Sequence, residues 1–439
     1  MCYRFLDRLK KAFSVSVRSP ILKTLHMEIT EFAAIYGLGI AIALILLKVT
    51  PVYSMICGAL IGGLVGGADL PETVNLMING ARSIMPATIR IITAGVLAGV
   101  LIESGAAAKI SATIIRVCGH RFALLALALS AMLLTACGVF IDIAVITVSP
   151  IALSVAQKAA FSRPCVLMAM IGGGKAGNII SPNPNTIAAA DAFHVELPAL
   201  MLANVIPALA GLLFTVLLVQ WLRRRGEIVT NFEEPESRQL PRFWAAVLGP
   251  LTTVVLLALQ PLCGIKIDPM VALPVGGIVG CLAMGKIRHL NAYMTFGLGK
   301  MVGVAVLLIG TGTLAGIIQA SALEKVVTSA INASGLPGFL LAPISGIVMS
   351  AATASTTAGV TVAGNSFAGA ILALGVAPLA AAAMLHAGAT VLDHLPHGSF
   401  FHATAGATGM SIGERMKLIP YETAVGLVLT AVSIFMHYR

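Results

Sequence analysis

Charged side chains are scarce in this sequence. Only 10% of its 439 residues are Asp, Glu, Lys or Arg, and 58% are hydrophobic, whereas a soluble globular domain has about 25% charged residues. The formal net charge is +10, but the basic residues gather at the ends of apolar segments, so we expect no nucleic-acid partner. The composition excludes a soluble globular chain and predicts a multi-pass membrane protein.

Motifs of enzymes and of metal or redox sites are missing as well. The seven cysteines form no C-x-x-C pair, which predicts small apolar packing residues and neither a disulfide nor a metal role. There is no H-E-x-x-H and no G-x-S-x-G, and G-G-G-K-A at Gly172–Ala176 lacks the first glycine and the final hydroxyl of a P-loop. We therefore expect no enzyme, no cofactor and no metal.

Long apolar runs recur along the whole chain. Examples are Phe32–Val49, Leu197–Leu222, Phe243–Leu262 and Leu418–His437. A helix of about 20 such residues crosses the roughly 30 Å of hydrocarbon in a bilayer. The predicted fold class is an all-α polytopic membrane protein of about 10–12 transmembrane helices with two re-entrant hairpins.

Two hydrophilic stretches lie outside these runs. Residues 1–30 carry six basic residues by Lys23 against one acid, Asp7, and they lack the apolar core of a cleaved signal peptide. The positive-inside rule predicts a cytoplasmic N-terminus, and the segment has the composition of an amphipathic surface helix. Residues 223–242 hold five arginines and four glutamates, which predicts a cytoplasmic linker.

The linker divides the chain into two similar halves. L-A-G-V-L at Leu97–Leu101 matches L-A-G-I-I at Leu314–Ile318, an offset of 217. We therefore predict one transmembrane repeat over 31–222 and a second over 243–439. A duplicated membrane chain is typical of a secondary transporter, and an inverted relation between the repeats is favoured.

Each repeat contains polar, helix-breaking segments. Residues 177–187 read G-N-I-I-S-P-N-P-N-T-I, and Pro182 and Pro184 exclude a regular helix. Irregular backbone survives in a membrane only inside protein or beside a watery cavity, so this segment is either a hairpin tip or the break in a discontinuous helix. The other breaks are predicted at Thr135–Ile143, Ser350–Gly364 and Val391–His402. Close helix packing by small residues is the alternative explanation.

The breaks suit an anionic substrate. The N-terminus of a half-helix presents free N–H groups and a positive dipole end to a carboxylate, and neutral Ser, Thr and Asn donors avoid a buried fixed charge. The first candidates for substrate binding are therefore the polar residues of these breaks, among them Asn178, Ser181, Asn183, Asn185 and Thr357.

A few acids inside apolar segments are candidates for proton coupling, because no ATPase domain is present and active transport would need an ion gradient. Asp142 and Asp393 lie beside breaks, and Glu103 and His397 are further candidates. The alternatives are an N-cap role for Asp393 and a solvated pair of Glu103 with Lys109.

Other ionisable residues are assigned more ordinary roles. Glu422 is expected to pack near a membrane face. Lys175 either binds an anion or reaches to a surface. The spacing of His394, His397 and His402 is weak support for zinc.

Three of these stretches resemble the gluconate permease family. They are S-P-N-P-N-T-I-A-A-A at Ser181–Ala190, A-A-T-A-S-T-T-A-G-V-T-V-A at Ala351–Ala363 and L-D-H-L-P-H-G-S-F at Leu392–Phe400. The order and spacing fit over about residues 30–437. Two departures change the pocket. In the first segment Asn183 stands at a family histidine and Asn185 at a family glycine, and in the last segment Gly398-Ser399 stands at the family's N-G. Another small organic acid therefore fits as well as gluconate.

The resemblance implies a proton-coupled symporter of sugar acids or small hydroxycarboxylates in a bacterial inner membrane. It also implies inverted repeats with re-entrant hairpins, a homodimer, and a scaffold past which a transport domain moves as an elevator. Carried over by position, the site residues are Asn183, Asn185, Thr186, Thr353, Ser355, Thr356, Asp393, His397 and Ser399. Sodium coupling, a cation/proton or anion exchanger and an anion channel remain alternatives.

Overall fold

The computed structural model describes residues 31–119, 122–230, 239–321 and 323–438. The predicted basic segment 1–30 and residues 231–238 of the predicted linker lie outside this part of the chain. The described residues are mostly α-helical, as the composition predicts.

The first half forms eleven α-helices within the described ranges. They are α1 Glu31–Leu46, α2 Pro51–Val65, α3 Leu70–Ser83, α4 Met85–Glu103, α5 Ala106–Cys118, α6 Ala123–Ala136, α7 Ile141–Ala159, α8 Arg163–Asn178, α9 Pro184–Ala192, α10 Leu197–Ala203 and α11 Val205–Leu222. Side-chain caps fix several starts: Asp69 Oδ1 accepts the Glu72 N–H at 2.8 Å, and Ser162 Oγ accepts the Cys165 N–H at 3.4 Å.

The second half follows the first helix by helix from α1 onward. Its helices are α12 Phe243–Cys263, α13 Pro269–Ala283, α14 Leu290–Ala320, α15 Leu323–Ser334, α16 Leu341–Thr353, α17 Thr356–Ala373, α18 Pro378–Ala389, α19 Ser399–Thr408, α20 Ile412–Met416 and α21 Ile419–His437. One difference is that α3 and α4 are separate while their counterpart α14 is continuous. Pro86 explains the break between α3 and α4, because proline has no N–H to bond to the preceding turn. The equivalent position in α14 is Gly303, which has that N–H. The helix order supports the predicted duplication.

Length and hydropathy make six helices suitable for crossing a membrane among the described residues, or seven if the bent pair α9–α10 counts as one span. The helices pack as two bundles. One bundle contains α1–α4 and α12–α14, and the other is built around α8 and α18. All residues of α8 from Pro164 to Asn178 are buried, as are those of α18 from Ala380 to Ala389.

Glycines let α3 and α4 pack closely against α14. A Cβ on Gly80 would collide with backbone atoms of Gly312 and Gly316, and a Cβ on Gly99 would collide with those of Tyr293 and Gly297. The earlier glycine, Gly80, thus meets the later part of α14, and the later glycine, Gly99, meets its earlier part. The segment α3–α4 and its equivalent α14 therefore run antiparallel. That direction is what inverted repeats require, and it supports the inverted relation that the sequence favours.

The breaks differ in kind. α6 packs beside α7, and α16 packs beside α17, so the chain turns back at 137–140 and at Ala354, whose φ is +46°. By contrast, α8 and α9 do not pack side by side, and neither do α18 and α19. Each half therefore has one re-entrant hairpin and one discontinuous helix. Of the two interpretations of residues 177–187, the structure has the break in a discontinuous helix.

Candidate functional site

All four breaks meet at one cavity of about 280 Å³ between the two bundles. It is lined by Phe140, Ile141, Asp142, Ile143, Asn178, Asn185, Lys300, Val304, Ala354, Ser355, Thr356, Thr357, Asp393, Ser399 and Phe400. The lining includes the first residues of α7, α17 and α19 and the first turn of α9. Four positive helix ends therefore surround the space.

In the first half, side chains of the chain itself occupy these helix ends. Asn183 Oδ1 accepts the N–H groups of Asn185 and Thr186 at 2.9 and 3.1 Å, which caps α9. At α7, Asp142 Oδ1 accepts the Ile143 N–H at 2.9 Å. Less N–H capacity is thus left for a ligand at these two ends.

In the second half, a side chain caps one of the two helix ends and not the other. Ser355 Oγ accepts the Ala358 N–H at 3.3 Å and so caps α17, while the N–H groups of Thr356 and Thr357 precede that bond. At α19, the capping position is Gly398, which makes no side-chain capping bond. First-turn N–H groups have no partner within a helix, so the uncapped end of α19 is suited to an anion.

An amide cluster joins the two halves beside the cavity. Asn178 Oδ1 accepts from Asn183 Nδ2 at 2.5 Å and from Asn185 Nδ2 at 3.0 Å, and Thr357 Oγ1 donates to Asn185 Oδ1. Asn178 is only 1% exposed, yet its Nδ2 has no hydrogen-bond partner among the described residues. This buried donor is free to bind a ligand oxygen.

A buried ion pair lies directly behind the cavity. Lys175 Nζ donates to Asp393 Oδ1 at 2.6 Å and to the Thr390 carbonyl oxygen at 2.5 Å, and it lies 3.1 Å from His394 Nδ1. The exposed fractions of the Lys175 and Asp393 side chains are 0% and 3%. Thr356 Oγ1 donates to the other carboxylate oxygen of Asp393 at 2.6 Å, which links the pair to α17.

A second buried ion pair lies beyond His394. Arg415 holds both carboxylate oxygens of Glu422, and the Nη2–Oε2 distance is 3.1 Å. Glu422 Oε2 lies 3.9 Å from His394 Nδ1. The Glu422 carboxylate is thus fully buried within the protein, paired with an arginine.

The structure brings eight of the predicted site residues to the cavity. They are Asp142, Asn178, Asn185, Ser355, Thr356, Thr357, Asp393 and Ser399. Asp393 does not cap α19, because Gly398 holds that position. Lys175 neither lines the cavity nor reaches a surface, because its ammonium group donates hydrogen bonds to buried partners.

The other predicted residues lie away from the lining. Asn183 is a cap, and Thr186 Oγ1 bonds back to Asn183 Oδ1 at 3.3 Å. Thr353 Oγ1 donates to the Met349 carbonyl oxygen at 2.8 Å. His397 Nε2 lies 3.3 Å from the Ala352 carbonyl oxygen near the surface. Ser181 is buried near the break, and Glu103 ends α4.

Sequence reasoning missed Lys300, which reaches the cavity from α14. It also missed the Arg90 cluster, which consists of Arg90, Asp191 and Asp268. Arg90 Nη2 donates to Asp268 Oδ2 at 2.8 Å, and Arg90 Nη1 donates to Asp191. Arg90 lies on α4 and Asp191 on α9, so the cluster connects the two bundles. Asp191 interrupts a run of alanines, which is the signal that would have identified it.

We predict that Arg90→Gln will loosen this connection. The variant leaves Asp191, whose side chain is about three-quarters buried, without its guanidinium, and we expect the free energy of unfolding to fall by about 1–3 kcal/mol. Thermal unfolding in detergent measures the change. Lys266→Gln is the matched control, since its pair with Glu196 is 60% and 45% exposed and should contribute at most about 1 kcal/mol. Equal effects of both variants would contradict the prediction.

Comparisons with known proteins place this chain among transporters. A model described as GntP family permease matches residues 32–438. A Haemophilus influenzae protein named as an uncharacterized transporter is 57% identical over 407 residues, which cover 92% of this chain and 97% of that protein. A gluconate permease of Zymomonas mobilis is 21% identical over 403 residues, which cover 84% of this chain and 89% of that protein.

A solved structure supports the fold. The chain resembles the crystal structure of the YdaH transporter of Alcanivorax borkumensis, which is described as having an unusual topology. The TM-score is 0.65 at 15% identity, and the match covers 93% of this chain and 98% of that one. At this identity the likeness concerns the fold alone.

Proposed function

Because the chain belongs to the GntP permease family, we propose that it is a secondary carrier that takes up a sugar acid or small hydroxycarboxylate together with a proton. The carrying observation is the uncapped end of α19 at Ser399, which faces a cavity of about 280 Å³ that Thr356 of α17 also lines. Helix ends of this kind bind carboxylates without a fixed charge at the same point.

The unequal helix ends also orient the proposed substrate. Its carboxylate binds beside the uncapped end of α19 and the first two N–H groups of α17, which precede the Ser355 cap bond. The rest of the molecule then faces Asn185 and Asp142, whose carboxylate would repel a second anion and accept hydrogen bonds from hydroxyl groups. Asn178 Nδ2 supplies a donor between these two regions. A hydroxylated monocarboxylate fits this distribution of donors and acceptors.

The two bundles suit a moving carrier. α14 contributes Lys300 and Val304 to the cavity from one bundle, while the four breaks belong to the other. We propose that the bundle around α8 and α18 carries the site past α14 and its neighbours as an elevator, and that the carrier works as a homodimer in a bacterial inner membrane.

We propose that the face of the molecule bearing the arginine-rich linker is cytoplasmic. α12 and α13 pack antiparallel after the linker, so α14 starts at that face, and its last turns lie near Gly63 at the end of α2. Ala33 at the start of α1 lies beside Gly62, so the first described residues belong to the opposite face.

The test is uptake of labelled gluconate into proteoliposomes with an imposed inward proton gradient, competed by a panel of unlabelled hydroxy acids. We expect gradient-dependent uptake that one or more of these acids suppress. Uptake that needs sodium and ignores a protonophore would contradict proton coupling. Flux without counterflow would indicate a channel. No uptake and no thermal stabilisation by any of the acids would refute the substrate class.

We predict that Asn178→Ala will weaken binding in the same assay. Loss of the buried donor removes a hydrogen bond to the substrate and disturbs Asn183 and Asn185, and we expect the half-saturating concentration to rise at least about tenfold, which is about 1.4 kcal/mol. Asn332→Ala, at an exposed position of α15, is the control and should be neutral. An unchanged half-saturating concentration for Asn178→Ala would place the substrate elsewhere.

A further inference from the structure

We propose that His394 is the residue that takes up the coupled proton and that Lys175 positions its ring; the inference rests on the proposed proton symport. Neither residue lines the cavity. Asp393 connects both residues to the cavity. One of its carboxylate oxygens accepts from Thr356 at the cavity wall, and the other contacts Lys175 and His394.

The geometry around Lys175 defines the state of the empty site. An ammonium has three N–H donors, and three acceptors surround this one: Asp393 Oδ1, the Thr390 carbonyl oxygen and His394 Nδ1. His394 Nδ1 therefore accepts, and the neutral ring carries its proton on Nε2. That N–H has two oxygen atoms in reach, the Ile419 carbonyl at 3.1 Å and Thr423 Oγ1 at 3.2 Å.

His394 lies between two neutral ion pairs. Lys175 from α8 and Asp393 contact its Nδ1, and Glu422 from α21, held by Arg415 from α20, lies 3.9 Å from the same nitrogen. The charges of these five residues sum to zero when the ring is neutral, and those of Asp142 and Lys300, which also line the cavity, cancel each other. A buried site with a net charge is costly to move through a membrane. An anion bound beside Asp393 adds one negative charge, and one proton on His394 cancels it.

The proton step needs no other reactant. A proton from cavity water passes along the Asp393 carboxylate to His394 Nδ1. The Lys175 hydrogen bond to Nδ1 breaks, and the new Nδ1–H donates to Asp393 Oδ1, which lies 3.1 Å from Nδ1 in the structure. The ammonium keeps Asp393 and the Thr390 carbonyl oxygen. An imidazole suits this role because it titrates near neutral pH, which a carboxylate bound to an ammonium does not.

His397, the histidine that the sequence favours, offers a contrast. It is exposed, and its ring bonds to a backbone carbonyl oxygen. Among the described residues no carboxylate pairs with it. Its protonation would neutralise no buried charge, so it serves as the matched control.

The experiment measures protons taken up per anion bound, with a pH indicator in weakly buffered detergent solution, for wild type, His394→Gln and His397→Gln. The probe is whichever hydroxy acid stabilises the wild type. We expect about one proton per anion for wild type and His397→Gln, with affinity falling as pH rises, by up to about tenfold per pH unit. His394→Gln should bind with no proton uptake, exchange substrate and fail to accumulate it.

Thr423→Val tests the proposal with the ring in place. It removes an oxygen close to Nε2, which disfavours the charged ring, so half-maximal proton uptake should shift to lower pH. Proton uptake that persists in His394→Gln, or a wild type that binds the acid without a proton, would overturn the proposal. An unshifted midpoint in Thr423→Val would do the same. Failure of the wild type to bind any hydroxy acid would instead refute the proposed function.

Discussion

Replacing Lys175 by methionine is expected to lower the free energy of unfolding by about 3–5 kcal/mol. Methionine fills nearly the same volume but leaves the Asp393 carboxylate buried with no opposite charge, at 3% exposure. Removing one partner of a buried pair costs far more than the pair itself contributes. Thermal and denaturant unfolding of the purified protein in detergent measure this loss, and transport should be lost with it.

The double variant Lys175→Met with Asp393→Asn is the decisive control. It removes both charges, so most of the lost stability should return, while proton-coupled uptake should not. Single and double variants of equal stability would mean that Asp393 is not held as a carboxylate by Lys175. Retained proton-driven uptake in the double variant would contradict the proposed route of the proton.

Replacing Gly80 by leucine should prevent the two repeats from packing. The atoms nearest to a Cβ at Gly80 are backbone atoms of Gly312 and Gly316, so no side chain can rotate away and the helices must separate. Close approach through small residues is how such membrane helices associate. We expect a loss of more than about 3 kcal/mol, seen as aggregated protein in size-exclusion chromatography of detergent extracts.

Two further substitutions make this result interpretable. Gly297→Leu disturbs the equivalent crossing with Gly95 and Gly99 and should be as damaging. Gly299→Leu, two residues further along α14, is the control, since no atom lies within 4 Å of its Cβ position. A folded Gly80→Leu variant, or a damaging Gly299→Leu, would contradict the proposed crossing.

Much of the architecture can be predicted from local patterns. The apolar runs predict the long helices, and Pro182 and Pro184 predict an interruption wherever they are placed, because proline lacks an N–H. Which helices then lie side by side depends on tertiary contacts. For that reason the sequence left open whether residues 177–187 form a hairpin tip or a break.

The site shows the same limit. Polar residues inside apolar segments stand out in a sequence, so Asn178, Thr356 and Asp393 can be predicted as site residues. The role of Lys175 cannot be predicted in this way, since its carboxylate partner lies 218 positions away. Asn183 shows a second difficulty: a cap and a ligand contact use the same side-chain oxygen, and only geometry separates the two roles.

The unequal caps of α9 and α19 predict a stoichiometry. A duplicated chain begins with two equivalent half-sites, and each could in principle hold an anion. Here Asn183 occupies the α9 end of one half-site, while Gly398 leaves the α19 end of the other vacant. One protomer should therefore titrate with a single molar equivalent of substrate, and restoring a second equivalent would require replacing the asparagine cap.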